Sequence, residues 1–474
     1  MKSEENGLKT MEPEKSSIFK MISFSVGYFF ATYTIIAFNN FVWTFYESEL
    51  GIIGFFPLWS FYMTLANAIY TIYSIIMNPI LGYYTDKPTK WVRRIGYHTP
   101  WAIIGGIPTM IFFFLLFTPP QVAGFASLLP ILIYYIVIVL FYDTFSSLFQ
   151  THSFGAFAAH FRGDKERRRA GLATQFFTFV ANFLAIAVWS LIIRPGDPNT
   201  FTTAAFMSIL ILTVSFVLFL PGFRESDSVK ERFIVGYETA ERVPFFKTMI
   251  IAVRQKNFML GILTYFIFML SMGLMSMNSV NFVDDVLEES QSIRTIASAL
   301  MLIFSVLTMP LWARVARKIG HSRTYVLGLL SFGIILLISG FVTNAIEYYI
   351  VNALMGVTAA MYLIMLSPVL ADCYDEIAVK IKKHREATLV GIRNIFVRIA
   401  LPIQSLIIAI IYTMSFYNPA DPIHSDQVIL GLRLIQGVFP FVFCIIGALV
   451  FFKWYDLKGK KKAEMMNALN ELGL

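Results

Sequence analysis

The feature that most constrains this chain is a succession of twelve long, charge-poor apolar runs separated by clusters of turn residues or charges. A bilayer core takes about 20 apolar residues per helix. Runs near 22–46, 54–84, 99–117, 126–151, 170–193, 202–221, 257–281, 295–313, 324–343, 348–370, 387–413 and 429–452 are close to or beyond that length. Turn chemistry separates several of them, at Thr118-Pro119-Pro120, Arg194-Pro195-Gly196-Asp197-Pro198 and Asn418-Pro419-Ala420-Asp421-Pro422. No cleavable leader is expected, because the residues before the first run are polar and that run is a full-length span. With 57% hydrophobic and 14% charged residues, the chain departs far from the roughly 25% charged content of soluble domains, which excludes an ordinary soluble enzyme. Two cysteines, Cys373 and Cys444, exclude a disulfide scaffold and a multi-cysteine metal site.

The net charge of +8 is not a nucleic-acid signature once the basic residues are located. Cytoplasmic loops retain Lys and Arg, and 33 of the 38 basic residues fall on one side of the membrane if the N-terminus is cytoplasmic. The opposite loops are acidic, with Asp284, Asp285, Glu288 and Glu289 together. Both ends are therefore expected in the cytoplasm of a multi-pass protein in the cell membrane. The expected organisation is a cytoplasmic tail (1–21), a six-helix bundle (22–221), a polar linker (222–256), a second six-helix bundle (257–452) and a cytoplasmic tail (453–474). An internal repeat supports two equivalent halves. Asn78-Pro79 leads into a basic loop after the second run, and Met309-Pro310 does so after the eighth. Glu166-Arg167-Arg168-Arg169 precedes the fifth, as Lys383-His384-Arg385-Glu386 precedes the eleventh. Parallel six-helix repeats predict an all-α membrane protein of the major facilitator fold, twelve transmembrane helices in two pseudo-symmetric six-helix halves with a solute site between them.

Charges inside apolar runs are costly, so each is a functional candidate. Asp143 lies in the middle of the fourth run, and Arg393 and Arg398 lie in the eleventh. A carboxylate on one half and a guanidinium on the other, at similar depth, can pair across the halves or jointly hold a polar solute. Asn67 and Gln175 supply further hydrogen-bonding groups. Near the second run, Gly82 permits close helix approach, while Asp86, Arg93 and Arg94 can close a cytoplasmic gate through charge-assisted hydrogen bonds. Arg317 occupies the aligned place in the second half.

These motifs, with Tyr142-Asp143, Ala371-Asp372-Cys373-Tyr374-Asp375-Glu376, Arg385-Glu386, Gly391 and Arg398 in this order, resemble the glycoside-pentoside-hexuronide cation symporters, the melibiose permease-like branch of the major facilitator superfamily. The resemblance implies alternating-access transport of a sugar, glycoside or sugar acid, with Asp143 in the sugar site and Arg398 in place of a lysine that links substrate and cation sites. Tyr28, Ser74 and Asn78 stand where the family carries acids, and Gln175 where it carries an arginine. Tyr28 is therefore counted with Asp143, Gln175, Arg393, Arg398 and Asn67 in the substrate set, and Ser74 and Asn78 with Asp143 in the coupling set. Loss of those acids makes sodium coupling the lesser expectation beside a proton carried by Asp143.

No metal site and no cofactor are expected. A small solute and the lipid bilayer are the expected partners, and the chain is expected to act as a monomer. The six histidines lie in or near loops without metal-ligand spacing, which argues against an enzyme, and His152 and His160 at the end of the fourth run read as solvated. Two other readings remain: a lysophospholipid or organic-anion transporter, in which Arg398 meets an anionic group, and a receptor that keeps the fold without flux. The tail from Lys458 onward reads as an amphipathic helix on the cytoplasmic leaflet.

Overall fold

The computed structural model describes residues 17–472 apart from 53–55, 57, 88–89, 195, 240–243, 291 and 418–424. The expected turn at Asn418 to Pro422, most of the N-terminal tail and His424 lie outside the described residues. The described chain is all-helical. Its first half comprises α1 (Ile18–Ala37), α2 (Trp59–Thr85), the short α3 (Val92–Ile95), α4 (Thr99–Leu115), α5 (Leu128–His160), α6 (Asp164–Ile192) and α7 (Pro198–Phe223). The stretch read from sequence as a linker carries α8 (Asp227–Thr239) and α9 (Phe245–Arg254). The second half follows as α10 (Lys256–Asn281), α11 (Ser292–Ile319), α12 (His321–Ser339), α13 (Ala345–Ile381), α14 (Glu386–Ser415), α15 (Asp426–Arg433) and α16 (Phe439–Trp454). A final helix, α17 (Gly459–Glu471), closes the chain.

Eleven of these helical segments, some extended by adjoining π-helical turns, are long and apolar enough to cross a membrane. The twelfth expected span is α4, whose 17 residues reach about 25 Å at 1.5 Å per residue, near the lower limit for a bilayer core. In lipid the backbone groups must be satisfied within each segment, which helices achieve. Polar caps mark several ends: Ser17, Asp197, Asn344 and Ser425 each accept a backbone N–H from the first turn of the helix that follows. Pro79 and Pro310 lie inside α2 and α11, so the sequence repeat is also a structural one.

Helices α1, α6 and α7 pack together, as do α2, α4 and α5; in the second half α11 and α12 pack on α13, and α10 and α12 on α16. The halves meet where α2 and α5 lie against α14, and where α6 lies against α11 and α13. This contact is tightest at one end. Gly82 rests against the Ala387 carbonyl and Gly391 against the backbone of Asn78 and Pro79, leaving no room for a Cβ at either glycine. Residues 386–392 of α14 are all buried, whereas the next seven are half-buried. The molecule is thus sealed at the end where α14 begins and where α5, α7, α13 and α16 finish. The basic loops and α17 lie at the same end, called here the basic face.

Candidate functional site

Among the described residues, one ion pair joins the two halves near mid-depth. Arg398 on α14 donates from Nη2 to Asp143 Oδ1 on α5 at 2.7 Å. It also donates from Nη1 to the Tyr70 hydroxyl on α2 at 3.0 Å. The second carboxylate oxygen of Asp143 accepts from Ser74 Oγ at 2.6 Å. Asn78 fixes Ser74 by donating to its backbone oxygen at 2.7 Å, and Asn394 on α14 donates to Asn78 Oδ1 at 3.2 Å. Asp143, Ser74, Asn78 and Arg398, all named from sequence, thus form one cross-half network. Helical spacing explains the grouping: Tyr70, Ser74 and Asn78 recur every four residues and share one face of α2. The Arg398 side chain keeps 24% of its exposure while that of Asp143 keeps 4%, so the guanidinium is the accessible member.

Arg393 lies just over one turn toward the basic face and has no carboxylate in ion-pair reach among the described residues. Its guanidinium sits 5.4 Å from the Phe154 ring centre and 5.8 Å from that of Tyr265. Nη2 reaches the neighbouring Asn394 oxygen at 3.2 Å, the Tyr374 hydroxyl lies beside the guanidinium, and Nε is buried without a partner. Tyr28 on α1 joins this aromatic lining, its ring 4.7 Å from Phe154. A guanidinium placed on π-faces keeps part of its stabilisation while leaving donors for an incoming acceptor. Two other candidates stand apart from the ion pair. Asn67 accepts from the Tyr135 hydroxyl at 2.7 Å, a contact internal to the first half. Gln175 is half-buried on α6 and makes no side-chain hydrogen bond among the described residues.

At the basic face Asp86 closes the halves, but not with the partners expected for it. Its carboxylate accepts from the Tyr97 hydroxyl within its own half and from Thr388 of the other half, through the backbone N–H at 2.7 Å and through Oγ1. Arg93, Arg94 and Arg317 are exposed and form no ion pair among the described residues. The expectation that they hold this gate is corrected: Asp86 turns into the protein, where hydroxyl and amide donors satisfy it and the guanidinium buried nearby is that of Arg385. Burial pushes the Asp86 carboxyl up to about 6, partly opposed by the Arg385 charge. Nearby Glu225 accepts from the backbone N–H of His98 at 3.1 Å, at the start of α4, and burial pushes it up to about 7.

The expectation that His152 and His160 are solvated is also corrected. His98 and His152 are buried with their Nδ1 atoms 3.0 Å apart. Burial, followed by the neighbouring His152, holds the His98 imidazole well below its usual range. His160 and His321 are buried as well.

A second closure was not assigned from sequence. Arg167, at the start of α6, is completely buried and bridges Asp372 and Asp375 of α13. Its Nε is fixed by the Phe161 carbonyl at 2.8 Å. One signal was available, since Asp372 and Asp375 are spaced to lie on one helix face, but nothing local marks Arg167 among its basic neighbours. Asp372 also meets His321 Nε2 at 2.5 Å.

Asp164, His321 and Asp372 bring their ligand-type atoms within 4.8 Å of one another, a cluster that linear spacing did not predict. Lys462 of α17 places its ammonium among them, 2.6 Å from Asp164, 2.6 Å from Asp372 and 3.1 Å from His321. The tail lysines therefore do not simply face lipid as expected: Lys461 and Lys462 pair with protein carboxylates, and Met465 and Leu469 are buried.

Residues 23–459 match the family described as MFS/sugar transport protein. Among solved structures, the chain is similar to the E. coli fucose:proton symporter at 11% identity, covering 91% of this chain and 99% of that one with a TM-score of 0.60. It is similar at 14% identity to the proton:xylose symporter XylE bound to 6-bromo-6-deoxy-D-glucose, covering 95% and 98% with a TM-score of 0.60. A bacterial homologue of the iron transporter ferroportin, in an outward-facing state, aligns at 12% identity over 92% and 99% with a TM-score of 0.63. At these identities the likeness is one of fold, the major facilitator fold.

Proposed function

This chain belongs to the MFS/sugar transport protein family, and from that premise we propose that it moves a sugar, glycoside or sugar acid by proton-coupled alternating access, with the Asp143–Arg398 pair as its central switch. The basic face is the cytoplasmic face of the cell membrane, with both termini on it, in keeping with the retention of Lys and Arg. The six-helix bundles at 22–221 and 257–452 move against each other around the pair, and the protein works as a monomer.

The observation that carries this reading is the pair itself: one carboxylate and one guanidinium from opposite halves, near mid-depth, with the guanidinium accessible. Solute hydroxyls that take the donors of Arg398 leave Asp143 without its counter-charge. A proton taken up by that buried carboxylate restores neutrality at the site. Solute entry and proton uptake are coupled in that way. Ser74 and Asn78, standing where the resembled family carries acids, orient Asp143 and hold no ion themselves.

A sugar acid is the favoured class among these solutes, because Arg393 offers unpaired donors beside the aromatic faces of Phe154, Tyr265 and Tyr28. A ring can stack on those faces while its carboxylate meets the guanidinium in a forked contact. Counterflow in proteoliposomes over paired neutral glycosides and their uronates, with and without proton and sodium gradients, tests this reading. Uronate counterflow that follows the proton gradient is the expected result. Preference for the neutral members removes the role of Arg393, sodium dependence removes the proton, and ligand binding without counterflow removes transport.

A further inference from the structure

The C-terminal helix α17 is anchored to the second half at its base. The linker residue Asp456 accepts from Lys256 at 2.5 Å and from Asn257 at 2.9 Å, both at the start of α10. Asp456 also accepts from Lys461 at 2.5 Å, and Lys461 lies 3.6 Å from Glu376 of α13. Leu469 packs on Ala378 and Val379 of the same helix. All these contacts belong to the second half.

Lys462 is the exception. Its ammonium, with a side chain only 14% exposed, lies between Asp372 of α13 and Asp164, the first residue of α6 in the other half. The local charge count explains why an ammonium is held there. Asp164, Asp372 and Asp375 present three carboxylates, and Arg167 supplies one positive charge directly. Without Lys462, only the His321 contact to Asp372 offsets the two remaining negative charges beside the seam. A cation at this point is therefore attracted in the closed arrangement and loses Asp164, one of its three partners, when α6 and α13 separate. The anchor at Asp456 keeps the lysine close to the site, so rebinding is an intramolecular event at high effective concentration.

We infer that α17 is a strap that holds the basic face closed through Lys462, so that release of the tail sets how readily this face opens during transport. The strap acts beyond the solute site and adds to the direct Arg167 contact. It rests on the alternating-access part of the proposed function and on no particular solute. A signal that neutralises or captures the basic segment Lys460–Lys462 would open the face without touching the solute site.

Double electron–electron resonance on the full chain tests this, with spin labels introduced by Arg169→Cys on α6 and Lys318→Cys on α11, both exposed positions on opposite halves. The two native cysteines are buried and do not compete for label. Lys462→Gln is expected to raise the population with long label separation about fivefold without solute, the lower end of typical coupling between sites. Asp164→Asn is expected to act in the same direction, and it sits at an exposed position that tolerates the change should Lys462→Gln fail to fold. The reversed pair Lys462→Asp with Asp164→Lys should recover part of the closed population, and Lys460→Gln, which points to solvent, should leave it as in the parent. Unchanged distances in Lys462→Gln and Asp164→Asn, or an equal shift in Lys460→Gln, would overturn the strap. Because distances are read without solute, an error about the transported sugar leaves this result interpretable.

Discussion

Among the described residues, ionic contacts cross between the halves at two levels, and they are built for different tasks. At mid-depth one guanidinium meets one carboxylate and remains partly accessible. At the basic face Arg167 meets two carboxylates with no exposure of its own, and His321 and Lys462 crowd the same Asp372. A buried charge that loses its partner is expensive, so the sealed cluster strongly favours one arrangement of the helices. In the proposed cycle the accessible guanidinium turns from Asp143 to a solute, and proton uptake neutralises the carboxylate left behind. Redundancy makes a lock, and a single accessible pair makes a switch.

The largest expected effect breaks the lock. Arg167→Ala leaves Asp372 and Asp375 buried without their shared cation, and loss of one member of a buried ion pair costs about 3 to 5 kcal/mol. Label distances across the basic face should shift toward the open arrangement, and thermal stability in detergent should fall; unchanged values in both would refute the lock.

Breaking the switch should affect flux more than fold. Asp143→Asn removes both the counter-charge of Arg398 and the proposed proton carrier, so proton-driven uptake is expected to fall about a hundredfold while exchange at equal pH persists in part, an effect near 3 kcal/mol. Retained proton-driven uptake would remove Asp143 from coupling.

A gentler change sharpens the same point. Arg398→Lys keeps the charge and loses the fork that lets one side chain reach both Asp143 and Tyr70. Solute affinity is expected to fall about tenfold, or roughly 1.4 kcal/mol. Equal affinity in competition binding would show that charge alone suffices.

The smallest expected effect concerns pH at the hydrogen-bonded closure. Asp86 is raised to about 6 when the seam is closed and returns toward the usual carboxylate value of roughly 4 when opening solvates it. The closed form therefore binds the proton more tightly. Acidification from neutrality through pH 6 should favour closure, and that bias should fade as pH rises again. Label distances titrated between pH 5 and 8 would show it, and Asp86→Asn should remove the response. Opening on acidification would contradict the assignment.

Much of the architecture could be read before any coordinates, because hydropathy is a local sum. The apolar runs, the one-sided basic loops and the cost of an intramembrane Asp143 or Arg398 need no knowledge of neighbours. The repeat around Pro79 and Pro310 reported two related halves for the same reason. The gate was read less well. Asp86 and Gly82 were found through a local motif, but Arg93 and Arg94 follow it in sequence without following it in space. Their side chains stay hydrated while Thr388, 302 positions away, meets the carboxylate.

Sequence alone determined that this chain spans a membrane as helices, which face is basic, and which few charges lie inside the bilayer. Only the tertiary structure decided how those and the interfacial charges pair among the described residues: Arg167 with Asp372 and Asp375, Lys462 with Asp164, and Arg393 with no acid. Burial preferences are properties of each segment, whereas an ion pair is a property of two segments brought together. The partners of Arg167 lie more than 200 residues along the chain, a separation that no local pattern encodes.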